Sequence, residues 1–132
     1  MPPKVEILVA EDSATQAAQF EFLLEEAGYA VRLARDGREA VEQARQSQPD
    51  LVVTDLEMPE LNGLEVVTTL QSEFPKLPVI LITARGSESI ASEALQKGAA
   101  SYVPKHNLEM DLVPTLQRIL RHSCKSIQQT TR

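Results

Sequence analysis

The chain has 132 residues, of which 42% are hydrophobic and 24% charged, which fits one ordinary globular domain with a single sizeable core. Its 13 Lys+Arg against 19 Asp+Glu leave a net charge of −6, the wrong sign for direct nucleic acid binding or attraction to an anionic membrane. The single cysteine, Cys124, excludes an internal disulfide framework and a thiolate zinc site, no apolar run is long enough to span a bilayer or serve as a secretory signal, and a reducing, cytoplasmic setting is expected.

Short β-branched segments alternate with longer amphipathic ones, their starts roughly 20–28 residues apart, the rhythm of β-α units on a parallel sheet. Val5–Ala10 is the first predicted strand, followed at once by Glu11-Asp12. Ser13 then opens a helix with Gln16 three residues on, and Ala17, Phe20, Leu24 and Ala27 repeat along it until Gly28. Ala30–Ala34 alternates Val31 and Leu33 with Arg32 and so reads as an edge strand. Asp36-Gly37-Arg38-Glu39 caps the second helix, Leu51–Thr54 is a wholly apolar third strand ended by Asp55, and Asn62-Gly63-Leu64-Glu65 caps the third helix. Val79–Thr83 is the fourth strand, and a helix from about Ser87 runs through Ile90, Ala94 and Leu95 to Gly98. Ser101–Val103 is the fifth strand, with Pro104 and Lys105 behind it. The last helix carries Leu112, Leu116, Ile119 and Leu120 on one face. Because proline is tolerated only in a first turn, it is expected to begin near Asp111 or to kink at Pro114. Beyond His122 the sequence is polar and without period, so residues 1–122 read as the domain and 123–132 as a tail or the start of a linker.

The acids sit at strand ends. If the second strand lies outside the first, strands one and three are neighbours, and the crevice at their carboxyl ends is the switch point where ligands bind. Glu11, Asp12 and Asp55 would converge there. Like charges so close need a cation or a raised pKa, although Glu11 and Asp12 alone also suit a helix N-terminus. Ligands that are all hard oxygens favour magnesium, or manganese in its place, over zinc or copper. The glycine-free turn Glu11-Asp12-Ser13-Ala14-Thr15 argues against bare nucleotide binding. Thr83 with the small Ala84 behind it, and Lys105, add a hydroxyl and an ammonium for a transient anion. Together these make a phosphoryl-transfer kit in which Asp55 is the nucleophile and becomes an aspartyl phosphate.

From Val5 to about Leu120 the chain resembles the receiver domain of two-component response regulators, including the chemotaxis type. The residues that carry the resemblance are Glu11-Asp12, Thr54-Asp55-Leu56-Glu57-Met58-Pro59 with Asn62-Gly63, Thr83-Ala84, and Tyr102 three before Lys105. The resemblance implies a doubly wound, flavodoxin-like α/β fold: a five-stranded parallel sheet of order 2-1-3-4-5 with five flanking helices. Asp55 would accept phosphate from a histidine kinase or histidine phosphotransfer protein. Asp12, Asp55 and the backbone carbonyl of Glu57 would bind magnesium directly, with Glu11 acting mostly through water. Lys105 would pair with the phosphoryl group, Thr83 would hydrogen-bond it, and Tyr102 would turn inward behind Thr83, coupling the chemistry to the helix 4–strand 5–helix 5 face.

Two features stand out beside the family pattern, one a departure from it and the other a pair of variable positions. His106 stands directly after the lysine, where the family often has proline in a cis bond. The expectation is a trans bond, or a strained cis bond held by its surroundings. Glu57 and Arg85, two residues beyond Asp55 and Thr83, form an ion pair across the site mouth in this reading and hinder attacking water. The function expected is a phosphoacceptor switch that catalyses its own phosphorylation and dephosphorylation rather than an enzyme turning over substrate. It would act on an output domain in cis or a target protein, with a dimer that forms on phosphorylation. The alternatives are a phosphatase working through an aspartyl phosphate and an inactive receiver-like interaction module.

Overall fold

The computed structural model describes residues 4–58, 61–84 and 88–131, with side chains as far as residue 121 apart from residue 88. Strands β1 (Glu6–Ala10), β2 (Ala30–Ala34), β3 (Leu51–Asp55), β4 (Val79–Thr83) and β5 (Ser101–Pro104) alternate with helices α1 (Ala14–Glu26), α2 (Gly37–Gln46), α3 (Gly63–Glu73), α4 (Glu88–Gln96) and α5 (Leu108–Thr131). All four strand pairings are parallel, and the order is β2-β1-β3-β4-β5, as the resemblance implies.

Strand parity divides the interior in two. Leu8, Val52, Val79 and Leu81 face α2, α3 and α4, where Val41, Val66, Leu70 and Ala94 close on them. Ile7, Val9, Leu51, Val53, Ile80 and Ile82 face the other way, onto Phe20 and Leu24 of α1 and Leu112 and Leu116 of α5. β3 and β4 are buried at every position, which is why their sequences are apolar without alternation. β2 is the half-buried edge the alternation predicts. Its outer carbonyl at Leu33 is covered by the Gln43 amide, which donates to it at 2.9 Å.

The helix starts follow the capping chemistry. Asn62 and Glu65 form a complete capping box, with both hydrogen bonds at 3.0 Å. Asp36 accepts from the Glu39 N–H at 2.8 Å, and Ser13 from the Gln16 N–H at 3.3 Å, each without the reciprocal bond. α1 and α4 are followed by Gly28 and Gly98 at φ 97° and 117°, where a side chain would be strained.

The last helix corrects the reading of its start. It begins at Leu108, three residues before Asp111, behind a single 3-10 turn, Lys105–Asn107. Pro114 therefore lies in the second turn and takes the partner from the Met110 carbonyl. Met110 is 76% exposed, so water can serve that carbonyl. The helix also continues to Thr131, through residues where no apolar period signals it. The Lys105–His106 bond is trans. Among the described residues no helix is long and apolar enough to cross a membrane.

Candidate functional site

Three strand ends build one acidic crevice. β1 delivers Glu11 and Asp12, whose position is pinned where the Glu11 N–H donates to Ala34 at 3.0 Å. β3 delivers Asp55, in register with Ile82 of β4. One carboxylate oxygen from each of Glu11, Asp12 and Asp55 lies within 4.8 Å of the others. Glu11 and Asp55 are buried and Asp12 is exposed, so the cluster opens to solvent on one side.

Each acid is held by a different kind of contact. Asp55 meets Lys105, whose Nζ lies 3.0 Å from Oδ2, and its Oδ1 accepts weakly from the Glu57 N–H at 3.4 Å. Asp55 shares the sheet face of Leu51 and Val53, the α1–α5 side, which is the side Lys105 reaches from the start of α5. Glu11 accepts from the Ser13 N–H at 3.1 Å through Oε2, while Oε1 is buried with no hydrogen-bond partner. Burial, reinforced by Asp55, pushes the Glu11 carboxyl up to about 7. A buried, unpartnered carboxylate oxygen beside two other acids is what a cation site requires. The all-oxygen donor set fits a hard divalent ion such as Mg2+.

The remaining predicted residues fall around this crevice. Thr83 is 4% exposed at the end of β4, one residue past the partner of Asp55, and Ala84 follows it, half-buried. Leu81 and Thr83 share a sheet face with Tyr102 of β5, the register partner of Leu81. Tyr102 is 37% exposed. Glu57 and His106 are exposed. Arg85, the proposed partner of Glu57, lies outside the described residues, as do Pro59 and Ser87.

One contributor is easily undervalued in the sequence. A Cβ on Gly63 would lie 2.6 Å from the Asp55 carbonyl and 2.8 Å from the Leu56 Cα. Its N–H donates to the Leu56 carbonyl at 2.8 Å. Glycine thus lets α3 start directly against the strand end that carries Asp55. The motif Asn62-Gly63 was the available signal; the closeness of the approach was not.

An acid cluster with a facing ammonium, at the carboxyl edge of a doubly wound parallel sheet, has the chemistry to hold a cation and an oxyanion side by side. The chain belongs to the response regulator receiver domain family of two-component systems, whose model matches residues 7–117; members of that family bind Mg2+ and typically accept phosphate from histidine kinases. It is 39% identical over 119 residues to response regulator MprA of Mycolicibacterium vanbaalenii, covering 90% of this chain and 52% of that protein. It is 38% identical over 120 residues to the transcriptional regulatory protein ZraR of Escherichia coli K12, covering 90% of this chain and 27% of that one. The chain therefore spans about half the length of the first relative and about a quarter of the second. The crystal structure of a response regulator receiver domain protein from Clostridium thermocellum superposes with a TM-score of 0.85 at 28% identity, covering 90% of this chain and 96% of the other.

Proposed function

We propose that this chain is a phosphoacceptor switch in which Asp55 receives a phosphoryl group from the phosphohistidine of a histidine kinase or histidine phosphotransfer protein. The observation that carries the reading is the convergence of Glu11, Asp12 and Asp55 within 4.8 Å, with Lys105 Nζ 3.0 Å from Asp55. Glu11, Asp12, Asp55 and the backbone carbonyl of Glu57 would hold Mg2+, with Mn2+ as a substitute. When bound, the ion supplies the positive charge that lets three acids and a phosphoryl group share one crevice.

The chain's own residues do the rest. An Asp55 carboxylate oxygen forms the new O–P bond as the N–P bond of the donor breaks, and the donor imidazole leaves, taking up a proton. Lys105 stays beside the acceptor and pairs with a phosphoryl oxygen. The Thr83 hydroxyl donates to another, and the small Ala84 leaves it room. Tyr102, on the same sheet face as Thr83, turns inward as the threonine moves. The α4–β5–α5 surface shifts with it. That surface acts on a target protein, an output domain in cis or a second phosphorylated copy.

In this reading residues 1–122 are the receiver domain, and 123–132 lead toward a further segment. The protein modifies itself and hydrolyses its own phosphoryl group rather than turning over a substrate, in a reducing, cytoplasmic setting. Glu57 and Arg85, opposite in charge and each two residues beyond Asp55 and Thr83, slow that hydrolysis in this reading, so Arg85→Ala shortens the lifetime of the phosphoryl group.

The test is incubation with Mg2+ and acetyl phosphate, or with beryllofluoride, followed by mass spectrometry and amide NMR. Wild type gains one phosphoryl group, or shifts around Asp55, Thr83 and Tyr102, and Asp55→Asn does neither. A response that survives Asp55→Asn sinks the assignment. A wild type that never responds favours an inactive, receiver-like interaction module.

A further inference from the structure

On the side of α1 away from α5, an open groove of about 350 Å³ runs between that helix and the end of β2. Its floor is small and apolar: Ala14, Ala17 and Ala18 form one wall, Leu33 and Ala34 the other. One turn beyond Ala18 stands Phe22, 63% exposed, an aromatic side chain that gains by leaving water. An apolar floor beside an unburied aromatic is the kind of surface that a partner covers.

The charge around it is lopsided. Glu11, Asp12 and Glu21 stand on the rim against Arg35. The Arg35 side chain is 89% exposed and leans toward Glu39 at 3.9 Å, so it can swing away from an arriving cation. α1 carries Glu21, Glu25 and Glu26 and no lysine or arginine. These acids gather in its C-terminal half, where the helix dipole favours cations. None of the three makes an ion pair with another described residue. The arrangement is unfavourable alone and is relieved by positive charge from outside.

We infer that this groove docks a basic amphipathic helix of a partner protein. An aliphatic side chain of that helix sits on the alanine floor between Phe22 and Leu33, and its lysines or arginines lie over Glu21 and the other α1 glutamates. Small residues allow two helix axes to approach toward the short end of the usual range of about 8–10 Å. A groove of this form is read by anchors at helical spacing. A second copy of this chain presenting the same face is disfavoured, because it brings the α1 glutamates against one another.

The experiment uses the full chain and three synthetic helical peptides: leucine with lysine, leucine with glutamate, and alanine with lysine. Amide NMR maps the contact and a titration gives the affinity. The leucine–lysine peptide is expected to shift residues of α1 and the end of β2. Its affinity should fall about tenfold or more in both Ala18→Arg and Glu21→Lys, and with the alanine–lysine peptide. Both variants keep the beryllofluoride response of wild type, which separates this result from the fate of the phosphoacceptor reading. The inference is overturned by shifts mapping elsewhere, by equal binding of the leucine–glutamate peptide, by unchanged affinity in the two variants, or by a dissociation constant weaker than about 1 mM.

Discussion

Glu11 is 2% exposed, yet one of its oxygens has no partner and its carboxyl is pushed from 4.5 up to about 7, first by burial and then by Asp55. A carboxyl whose pKa rises on folding holds its proton more firmly in the folded state. Its contribution to stability is therefore present below about 4.5 and lost as pH rises through about 7. The metal-free protein should thus lose stability between about pH 5 and pH 8, and Glu11→Gln should remove a part of that loss on the order of 2 kcal/mol. Urea unfolding in a chelator at both pH values measures the difference. Equal pH dependence in the two proteins means that the buried acid is not the source. At the same scale, the Lys105–Asp55 pair joins residues separated by 50 positions. Their convergence on one crevice was legible because both follow strand ends in a parallel sheet; their direct contact was not. The missing partner of Glu11 Oε1 was not legible, since it depends on side-chain angles that no pattern encodes.

Among the elements, α3 bears most directly on the site. Its capping box is complete, and Gly63 at its first turn clears the Asp55 carbonyl and the Leu56 backbone. Gly63→Ala must push backbone against backbone, so it should destabilise the fold by about 1–3 kcal/mol despite alanine's better helix propensity. Thermal unfolding reads this directly, and a neutral or stabilising outcome would mean that α3 can retreat from the strand without cost. Helix starts at Ser13, Asp36 and Asn62 were readable because a cap is a local bond across three residues. The start of α5 was not. Leu108 is 6% exposed and packs in the core with Phe20 and Leu112, and that tertiary burial draws the helix back past the position Pro114 suggested. The groove beside α1 was equally hidden, because it depends on how far β2 sits from the helix rather than on either sequence.

For the molecule as a whole, the alternation in β2 pointed to an edge strand and the uninterrupted apolar runs in β3 and β4 to interior ones, while the full order of the sheet followed from the family resemblance. Those patterns report which strands are covered on both faces. The extension of α5 through residues 123–131 was not open in this way, since a helix without an apolar period leaves no signature. From Ser123 to Arg132 the sequence is polar except for Cys124 and Ile127, with no apolar period to pack. A chain cut after His122 is accordingly expected to unfold within about 2 °C of the full chain, a shift of a few tenths of a kcal/mol. Circular dichroism against temperature tests this, and a much larger drop would show that the distal helix belongs to the folding unit.

The division of the interior by strand parity reaches beyond packing. The sheet acts as a partition between two apolar compartments that share no side chain among the described residues, so a substitution in one changes packing on its own side of the sheet first. Asp55 stands on one side of that partition, while Thr83 and Tyr102 stand on the other. The carboxyl rim of the strands is then a seam where two otherwise separate histories of substitution must remain compatible. A change at the rim, unlike one deep in either compartment, has to fit the packing on both faces at once.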